Sequence, residues 1–376
     1  MLIYLDYASH TPPLPEVLEE FTKIARECAG NPNSVHRAGQ MAYNTLTRAK
    51  KGIADLLDVK PEEIIFTSGA SEANNLAIKG ITQAYGHKGR HILSTCLEHP
   101  SVSGTLAFLK ESGFDIELLK INTDGQIDLS HFKKAVRADT ILVCVSAADS
   151  ELGAVQPLED IAEILSAHPS AHLHIDAAQA IGKIPVYTKG GSTLCFSPHK
   201  FHGLCGFGVL VKREGVVLSP LIHGGGKEDI YRGGTQSPAM ASACFLALET
   251  ALRNMEGNIE TVSAINRYLR EKIEAFPQTR INSPESASPY ILNVSVNGIK
   301  GRDFVSALDN RGIAVSVKSA CGTDNTPSRP VYAVSGDKKN AMNSWRISLS
   351  HQVKTHETDA FLKAFEEIIL QGHHPQ

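Results

Sequence analysis

Short apolar segments, each followed by small or polar residues and then by a helical pattern, recur between residues 62 and 183. This pattern predicts a strand, a turn and a helix in each of four segments: EEIIFTSGASEANNLAIKGITQAY, RHILSTCLEHPSVSGTLAFLKESG, DTILVCVSAADSELGAVQPLEDIAEIL and AHLHIDAAQAIGK. Two further strands are predicted in STLCFSPHK and GFGVLVKR, around a glycine-rich corner. Strands that alternate with helices are typical of parallel βαβ units, so the sequence predicts an α/β fold with helices on both faces of a sheet.

The pattern changes from about Met240 onward. A long helical run, AMASACFLALETALRNMEGNIETVSAINRYLREKIEAF, is followed by a Pro/Ser-rich stretch, PQTRINSPESASPY. Strand and helix patterns then return in ILNVSVNG, FVSALDNRGIAVSV and SWRISLS, and the last helix is predicted in ETDAFLKAFEEIILQG. These segments predict a smaller α+β domain after the large sheet.

Length and composition narrow the class of protein. The chain has 376 residues, which suggests about two domains. Hydrophobic content is 42%, charged content is 20% and the formal net charge is -3, so we expect no binding to nucleic acid. No apolar run approaches the roughly 18 residues that a membrane helix requires, and the N-terminus MLIYLDYASHTPP lacks the pattern of a secretory signal. We therefore expect no membrane association.

The seven cysteines are scattered along the chain and never form a CxxC pair. Their number and spacing argue against a disulfide framework and against a cysteine zinc site. Such cysteine usage predicts a reducing compartment, so we expect a cytoplasmic protein.

Polar residues follow the predicted strands of the large sheet. Ligands of open α/β sheets bind beyond the carboxyl ends of the strands, so these residues predict where a site lies. They are Thr67 to Ser71, Glu98 and His99, Asp149 to Glu151, Asp176 to Gln179 and Ser197 to Lys200.

Several of these residues have one structural and one chemical interpretation. The segment TSGAS, residues 67–71, could bind a phosphate at a helix N-terminus, or Ser71 could be a plain N-cap. Asp176 could pair with a cationic ring nitrogen or accept a backbone hydrogen bond. His99 could stack on an aromatic ligand, donate a proton or cap a loop.

Lys200 lies between His199 and Phe201 in the stretch CFSPHKFHG, unusual surroundings for a lysine. Such a lysine can pack its stem on an apolar wall while its head reaches water. It can also be a desolvated, nucleophilic amine. A phosphate site, a buried carboxylate, a histidine and a downstream lysine in this order together fit pyridoxal phosphate, which the lysine would hold as a Schiff base.

The sequence resembles the NifS/IscS-like cysteine desulfurases of the class V aminotransferase fold nearly end to end. The resemblance is carried by YLDYASHTPP, GNPNSVH, FTSGASEANNLAIKG, EHPSV, HIDAAQAIGK, FSPHKFHG, HGGGKEDIYRGGT, ILNVSV, SACG and WRISLS. It implies a fold-type I homodimer that uses pyridoxal phosphate. It also implies a large cofactor-binding domain over residues 15–250 and a small domain formed by residues 1–14 and 251–376.

The resemblance assigns roles around the cofactor. Lys200 would be the Schiff-base lysine, Asp176 would pair with the ring nitrogen, His99 would stack on the ring and Gln179 would reach the ring hydroxyl. Four residues of one subunit would hold the phosphate, and one residue of the other subunit would reach it. The four are Ala70, Ser71, Ser197 and His199, and the one from the other subunit is Thr235.

The resemblance also assigns the substrate groups. Arg346 would bind the carboxylate of L-cysteine, although an arginine in this pattern also suits a structural ion pair. Cys321 would attack the substrate sulfur and hold it as a persulfide while alanine is released. The sulfur would then pass to an acceptor protein for iron–sulfur cluster assembly or other delivery. Cys321 precedes a Gly/Asp/Asn/Thr/Pro run that suggests an exposed loop, and Lys318 could favour its thiolate.

The chain departs from the family pattern at several positions. Ser150 stands where an asparagine is usual, which leaves the cofactor hydroxyl to Gln179 or a water. Pro198 stiffens the turn before Lys200, and Cys205 lies after it. Lys318 and His10 replace small residues.

Two alternatives to a cysteine desulfurase remain at this point. A related enzyme could use the same cofactor as a C–S β-lyase, which would give pyruvate and ammonia, or as an aminotransferase on another amino acid. A protein of another class could be a weakly active sulfur-transfer partner or assembly platform, although such a role requires none of Asp176, Lys200, Cys321 and Arg346.

Overall fold

The computed structural model describes residues 2–226, 230–318 and 326–371. The strands are β1 (Ile3–Tyr4), β2 (Ile64–Thr67), β3 (His91–Ser94), β4 (Asp115–Leu118), β5 (Thr140–Ser146), β6 (His172–Asp176), β7 (Thr193–Phe196), β8 (Gly208–Lys212), β9 (Thr279–Ile281), β10 (Ile291–Val296), β11 (Ile313–Ala314) and β12 (Ser344–Ser348). The helices are α1 (Pro15–Glu27), α2 (Arg37–Leu57), α3 (Ala70–Tyr85), α4 (Pro100–Glu111), α5 (Leu129–Ala135), α6 (Leu158–Ser166), α7 (Pro238–Arg253), α8 (Met255–Glu274), α9 (Gly301–Asp309), α10 (Arg329–Ser335), α11 (Lys338–Asn343) and α12 (Thr355–Gln371).

A seven-stranded sheet with the order β2-β8-β7-β6-β5-β3-β4 forms the centre of the large α/β part. All its neighbouring strands are parallel except those that pair with β8, which is antiparallel to both β2 and β7. Every residue of β5 is buried, as expected of a central parallel strand with both faces covered. The mostly parallel α/β architecture that the sequence predicts is therefore confirmed.

The strand directions decide where the polar segments meet. Because β2 and β7 are both antiparallel to β8, they run in the same direction as β6, β5 and β3. The carboxyl ends of these five strands therefore share one edge of the sheet. A ligand site is expected at that edge.

The segment after β6 differs from the sequence prediction. AHLHIDAAQAIGK was predicted to continue into a helix, but residues 177–184 form consecutive turns, with Ile181 N–H bonded to Ala177 O and Ile184 N–H bonded to Ala180 O. Gly182 has a φ of 74°, a left-handed conformation that ends the helical path, and Pro185 follows two residues after Lys183. The prediction of a helix here was wrong.

The long helical run after Met240 forms two helices, α7 and α8, which meet at Asn254. Helices α1 and α2 pack against α7. Helix α3 packs against the sheet through small and apolar residues such as Ala73 and Ala77, which allow a close approach.

Two small sheets contain the C-terminal strands. Strands β9, β10 and β12 form an antiparallel sheet in the order β12-β10-β9, and β1 pairs in parallel with β11. The N-terminal segment continues between these sheets, since Leu5 N–H donates to Ala314 O and Ser348 N–H donates to Leu5 O. The start of the chain is thus hydrogen-bonded to its C-terminal part.

An aromatic cluster forms the core beneath β12. The rings of Phe304 and Trp345 are stacked with centroids 4.9 Å apart, and Phe361 and Phe365 pack around them from α12. Trp345 precedes Arg346, so the cluster fixes the strand that carries that arginine. No helix in the described part of the chain is long and apolar enough to span a membrane.

Candidate active site

A cavity of about 370 Å³ lies at the carboxyl edge of the large sheet. Its walls come from the ends of β2, β3, β5, β6 and β7 and from the small sheet through β12. Ten residues predicted from the sequence line it: Ala70, Ser71, His99, Ser150, Asp176, Gln179, Ser197, His199, Lys200 and Arg346. The fold thus brings together residues that lie up to 276 positions apart (70 to 346).

Two residues to which the resemblance assigns a role in the reaction or in cofactor binding are not among them. Thr235 is exposed and does not line the cavity of its own subunit. Cys321 lies outside the described residues. Lys318 is described, and its Nζ donates to Thr326 Oγ1 at 2.9 Å.

The start of α3 and the end of β7 meet at one side of the cavity. Ala70 N–H donates to Ser197 Oγ at 2.6 Å, and Ser197 is fully buried. The N-cap of α3 is Gly69 and Ser71 lies in the first turn, so the alternative that Ser71 is the N-cap was wrong. An N-terminus of a 16-residue helix that opens into a cavity suits an anion.

Asp176 ends β6 and is almost fully buried. Its Oδ1 accepts the Ala178 N–H at 3.0 Å, and its Oδ2 accepts from Asn74 Nδ2 at 2.8 Å. The backbone interaction expected as the structural alternative is present, and the same carboxylate still lines the cavity.

His99 is the N-cap of α4 and also lines the cavity. Its Nδ1 accepts the Ser101 N–H at 3.1 Å and lies 2.8 Å from Ser101 Oγ. Burial lowers the pKa of His99, and the positive charge of Lys200 lowers it further, against the opposing effect of Asp176. The ring is therefore neutral near pH 7.

Lys200 lies in a single 3₁₀ turn, Pro198–Lys200, directly after β7. Its Nζ donates to Ala8 O at 2.9 Å and to Ser9 O at 2.8 Å. Lys200 is half-buried, and its amine is directed at backbone carbonyl groups beside the cavity.

His199 provides a test of whether the cavity fits pyridoxal phosphate. Its Nδ1 is buried without a hydrogen-bond partner among the described residues. Burial, together with the nearby Lys200 and His10, lowers the pKa of His199 to about 3. A buried neutral imidazole with an unpaired nitrogen needs a polar group next to it. Together with the anion site at α3 and the Asp176 carboxylate, it fits the phosphate and ring of this cofactor.

Gln179 is held at both ends of its amide. Nε2 donates to Ala8 O at 2.9 Å, and Oε1 accepts from Lys183 Nζ at 3.0 Å. Lys183 is buried, and burial together with the charges of Lys200 and Arg346 lowers its pKa to about 7.

Arg346 is fully buried in β12, where an ion pair anchors it. One terminal nitrogen donates to Asp6 Oδ1 at 2.7 Å and to Ser9 Oγ at 2.9 Å, and the other donates to Ser150 O at 2.7 Å. Nε is buried without a partner among the described residues. The structural ion pair and the position on the cavity wall are therefore both present.

The acids predicted beside these residues do not line the cavity. Glu98 accepts hydroxyl hydrogens from Thr95 and Ser146, each at 2.6 Å, and burial raises its pKa to about 7. Burial and the nearby Glu151 also raise the pKa of Asp149 to about 7. Glu151 accepts from Ser328 Oγ at 2.6 Å. The side chains of these three acids are buried in the core behind the cavity wall.

The cysteines also differ in their surroundings. Cys144, Cys195 and Cys244 are buried, as apolar sequence surroundings predict, and Cys28 and Cys96 are half-buried. Cys205 is exposed and lines the cavity.

Sequence reasoning missed five residues that form hydrogen bonds with the predicted side chains of the cavity: Asp6, Ser9, Asn74, Ser101 and Lys183. Asp6 and Ser9 lie in the quoted YLDYASHTPP, and Asn74 lies in FTSGASEANNLAIKG. The motifs indicated those segments, but no sequence signal indicated which side chain each would contact.

The family model described as aminotransferase class-V matches residues 3–361. A NifS/IcsS protein homolog of Lactobacillus delbrueckii subsp. bulgaricus is 35% identical, over 98% of this chain and 97% of that protein. A cysteine desulfurase IscS of Dictyoglomus turgidum is also 35% identical, over 98% of this chain and 94% of that protein. A solved NifS-like protein superposes with a TM-score of 0.93 and 33% identity, over 99% of this chain and 100% of that one.

Sequence and structure agree in these comparisons, because each similarity covers nearly the whole chain and includes every strand that lines the cavity. The fold is that of the NifS-like, fold-type I enzymes. The chain belongs to the class-V aminotransferase family and, within it, to the NifS/IscS-like cysteine desulfurases.

Proposed function

We propose that the protein is a pyridoxal-phosphate-dependent cysteine desulfurase that converts L-cysteine to L-alanine and transfers the sulfur to Cys321. One observation carries this proposal: a single cavity brings the Lys200 amine, the Asp176 carboxylate, the His99 ring and the buried Arg346 guanidinium together. The family's named relatives, which include a cysteine desulfurase, support the same reaction.

The described residues supply the groups that would hold the cofactor. The N-terminus of α3 with Ala70, Ser71, Ser197 and His199 would bind its phosphate, and Asp176 would pair with its ring nitrogen. Gln179 and Ser150 would face its hydroxyl, and Lys200 would bind it covalently. When bound, pyridoxal phosphate withdraws electrons from the α-carbon of an amino acid.

Arg346 would bind the carboxylate of L-cysteine. Its terminal nitrogens are held by Asp6, Ser9 and the Ser150 carbonyl, so the guanidinium is already oriented before a substrate enters. A pre-oriented, buried guanidinium loses little conformational freedom when it binds a carboxylate. This anchoring would place the reacting end of the substrate next to Lys200 and His99.

Lys200 would move the α-proton. Its Nζ lies against the carbonyls of Ala8 and Ser9, which stabilise the protonated amine. An amine held there can accept a proton on one side of the substrate without leaving the cavity.

Cys321 would receive the sulfur. Its thiolate would attack the substrate sulfur, so that the carbon–sulfur bond breaks as a sulfur–sulfur bond forms. The electron pair of the broken bond stays on carbon, which takes up a proton to give alanine. The enzyme is left with a persulfide, and no external oxidant is needed.

The wider setting is part of the proposal. The protein would be a homodimer in which Thr235 reaches the phosphate of the partner subunit, and its exposure suits that role. It would act in the cytoplasm and pass its persulfide to an acceptor protein for iron–sulfur cluster assembly or other sulfur delivery. The division into a large domain over residues 15–250 and a small domain over 1–14 and 251–376 belongs to the same proposal.

The test is product analysis of the purified, cofactor-loaded protein with L-cysteine and a thiol reductant. Equal amounts of alanine and sulfide are expected, and Cys321→Ser should stop sulfide release while the protein still binds the cofactor. Pyruvate with ammonia would overturn the persulfide step in favour of a C–S β-lyase. A wild-type protein that binds no cofactor but forms a stable complex with a sulfur acceptor would overturn the enzyme proposal.

A further inference from the structure

We infer that Asn74 is a positioning residue that joins Asp176 and His99 in one directed hydrogen-bond network through Ser101. This inference deepens the proposed function and rests on it, because Asp176 and His99 are the two side chains assigned to the cofactor ring. Asn74 itself would act through them.

Asn74 is fully buried on α3, where its amide makes four polar contacts. Nδ2 donates one hydrogen to Asp176 Oδ2 at 2.8 Å and the other to Ser101 Oγ at 2.9 Å. Oδ1 accepts from His174 Nε2 at 2.7 Å and from Cys195 Sγ at 2.9 Å. Every hydrogen-bonding position of the amide is used.

The contacts of Asn74 have one consistent direction. A flipped amide would place its oxygen against the Asp176 carboxylate, where both atoms only accept. With the amide as described, His174 carries its hydrogen on Nε2, and its Nδ1 accepts from Thr193 Oγ1 at 2.9 Å. Burial lowers the pKa of His174 to about 4, which agrees with a neutral ring. The contact with His174 therefore fixes the orientation of the Asn74 amide from the side opposite to Asp176.

The second hydrogen of Asn74 extends the network to His99. Because Ser101 Oγ accepts from Asn74, its own hydrogen is left for His99 Nδ1, 2.8 Å away. Nδ1 also lies 3.1 Å from the Ser101 N–H, which can only donate. Two donors at Nδ1 leave no room for a hydrogen on that nitrogen, so the neutral ring of His99 carries its hydrogen on Nε2.

This tautomer limits what His99 can do. A neutral ring with its hydrogen on Nε2 offers a donor at that atom and cannot accept a proton there. Removal of the α-proton therefore falls to Lys200, and His99 acts as a hydrogen-bond donor through Nε2. The same asparagine holds the Asp176 carboxylate in place, so both cofactor-facing groups depend on one buried amide.

The first test compares three variants of the full-length protein loaded with pyridoxal phosphate. Asn74→Ala removes both arms of the network, and Ser101→Ala removes only the arm to His99. Asn75→Ala is the matched control. Asn75 is the next residue of the same helix, and its amide contacts Ser71 O, Ser101 O and the Thr105 hydroxyl but no side chain of the cavity.

Asn74→Ala is expected to weaken cofactor binding by roughly tenfold or more, the size of one lost hydrogen bond to a charged group. Ser101→Ala is expected to leave that dissociation constant within about twofold and to lower kcat, because only His99 is affected. Asn75→Ala is expected to match the wild type in both. Equal effects of Asn74→Ala and Asn75→Ala would overturn the inference. If Asn74→Ala does not fold, Asn74→Val, which is closer to asparagine in volume than alanine is, removes the same contacts.

The second test asks whether the two arms form one network. The Asn74→Ala/Ser101→Ala double variant is expected to lose less kcat/KM than the product of the two single losses, because residues in one network are not additive. Multiplicative losses would overturn the shared network.

The third test reads the tautomer directly. Nitrogen NMR of the histidine side chains in the full-length protein, with His99 assigned from His99→Gln, is expected to show a bare Nδ1 and a protonated Nε2. A proton on Nδ1 would overturn the inference. This readout does not depend on the products, so a protein that makes no alanine would contradict the proposed function while the network is still tested.

Discussion

The two sides of the cavity are built in different ways. The side proposed to bind the cofactor (the cofactor side) contains Asp176 and Lys200 and comes from the ends of neighbouring strands of one sheet. The side proposed to bind the substrate (the substrate side) depends on Arg346 and Asp6. These residues are 340 positions apart in sequence and meet only because the N-terminal segment inserts beside β12. The first side is set by the sheet, whereas the second is set by how the two ends of the chain pack together.

This difference predicts different responses to substitution. Changes on the cofactor side should affect the chemistry itself. Changes on the substrate side should affect mainly the binding of the substrate carboxylate.

The largest effect is expected from Lys200→Ala. Loss of the only group proposed to hold the cofactor covalently and move the α-proton should lower kcat by about 10³-fold or more. Alanine formation from L-cysteine measures it. Lys60→Ala is the control, because Lys60 is an exposed lysine whose ion pair with Glu214 contributes little. Substantial turnover by Lys200→Ala would contradict the assignment of that lysine.

On the substrate side, Asp6→Asn should raise KM for L-cysteine by about tenfold and leave kcat nearly unchanged. The substitution keeps the shape of the side chain but removes the charge that anchors a fully buried guanidinium, an interaction of about 1.5–3 kcal/mol. Steady-state kinetics measure it, with the exposed Asp55→Asn as the control. A fall in kcat with constant KM would place Asp6 on the chemical side instead.

Gly182→Ala should destabilise the protein by about 1–2 kcal/mol, because φ is 74° there. An added Cβ would also lie 3.0 Å from Ala251 and 3.1 Å from Phe201. This turn follows Asp176 and Gln179, so the variant tests how far the cofactor side depends on backbone geometry.

Urea unfolding measures the change, and Gly104→Ala is the matched control. Gly104 is exposed within α4, and an added Cβ there meets no atom within 4 Å. Alanine should therefore stabilise the helix by about 0.5–1 kcal/mol. A destabilisation of the same size at both glycines would contradict the argument from conformation.

The smallest effect, taken per pH unit, concerns Glu98 behind the cofactor side. Its pKa is raised from 4.5 to about 7 in the folded state, so the folded protein binds more protons than the unfolded chain between those values. Stability should therefore fall as pH rises from about 4.5 to 7, by at most about 1.4 kcal/mol per pH unit from this group.

Glu98→Gln resembles the protonated side chain and should make the pH dependence of the unfolding free energy shallower in that window. Urea unfolding at several pH values measures it. A variant whose slope equals that of the wild type would show that Glu98 does not titrate there.

Most elements of the large sheet could be predicted from the sequence. Runs such as TILVCVS are apolar throughout because a parallel strand is covered on both faces, so β5 was identifiable. The segment after Asp176 was not, because DAAQAIGK has helical composition but Gly182 and Pro185 stop a helix from forming. Local propensity could not show that the chain must turn there to reach β7.

Among the polar residues at the strand ends, too, some positions could be predicted from the sequence and others could not. Asp176, His99 and Lys200 were predicted because they come directly after strands, and the ends of parallel strands meet at one edge. Glu98 and Asp149 occupy equivalent positions in the sequence, yet they face the core, because the direction of a side chain after a strand depends on the turn that follows.

The sequence by itself determined the α/β class, the strand ends that form the site and the family, because these depend on local periodicity and on motifs in a fixed order. Only the tertiary structure decided that Asp6 anchors Arg346 and that Asn74 links Asp176 to His99. Those contacts join residues that are distant in sequence, and hydrogen bonds depend on distance and direction in space. A pattern along the chain contains neither.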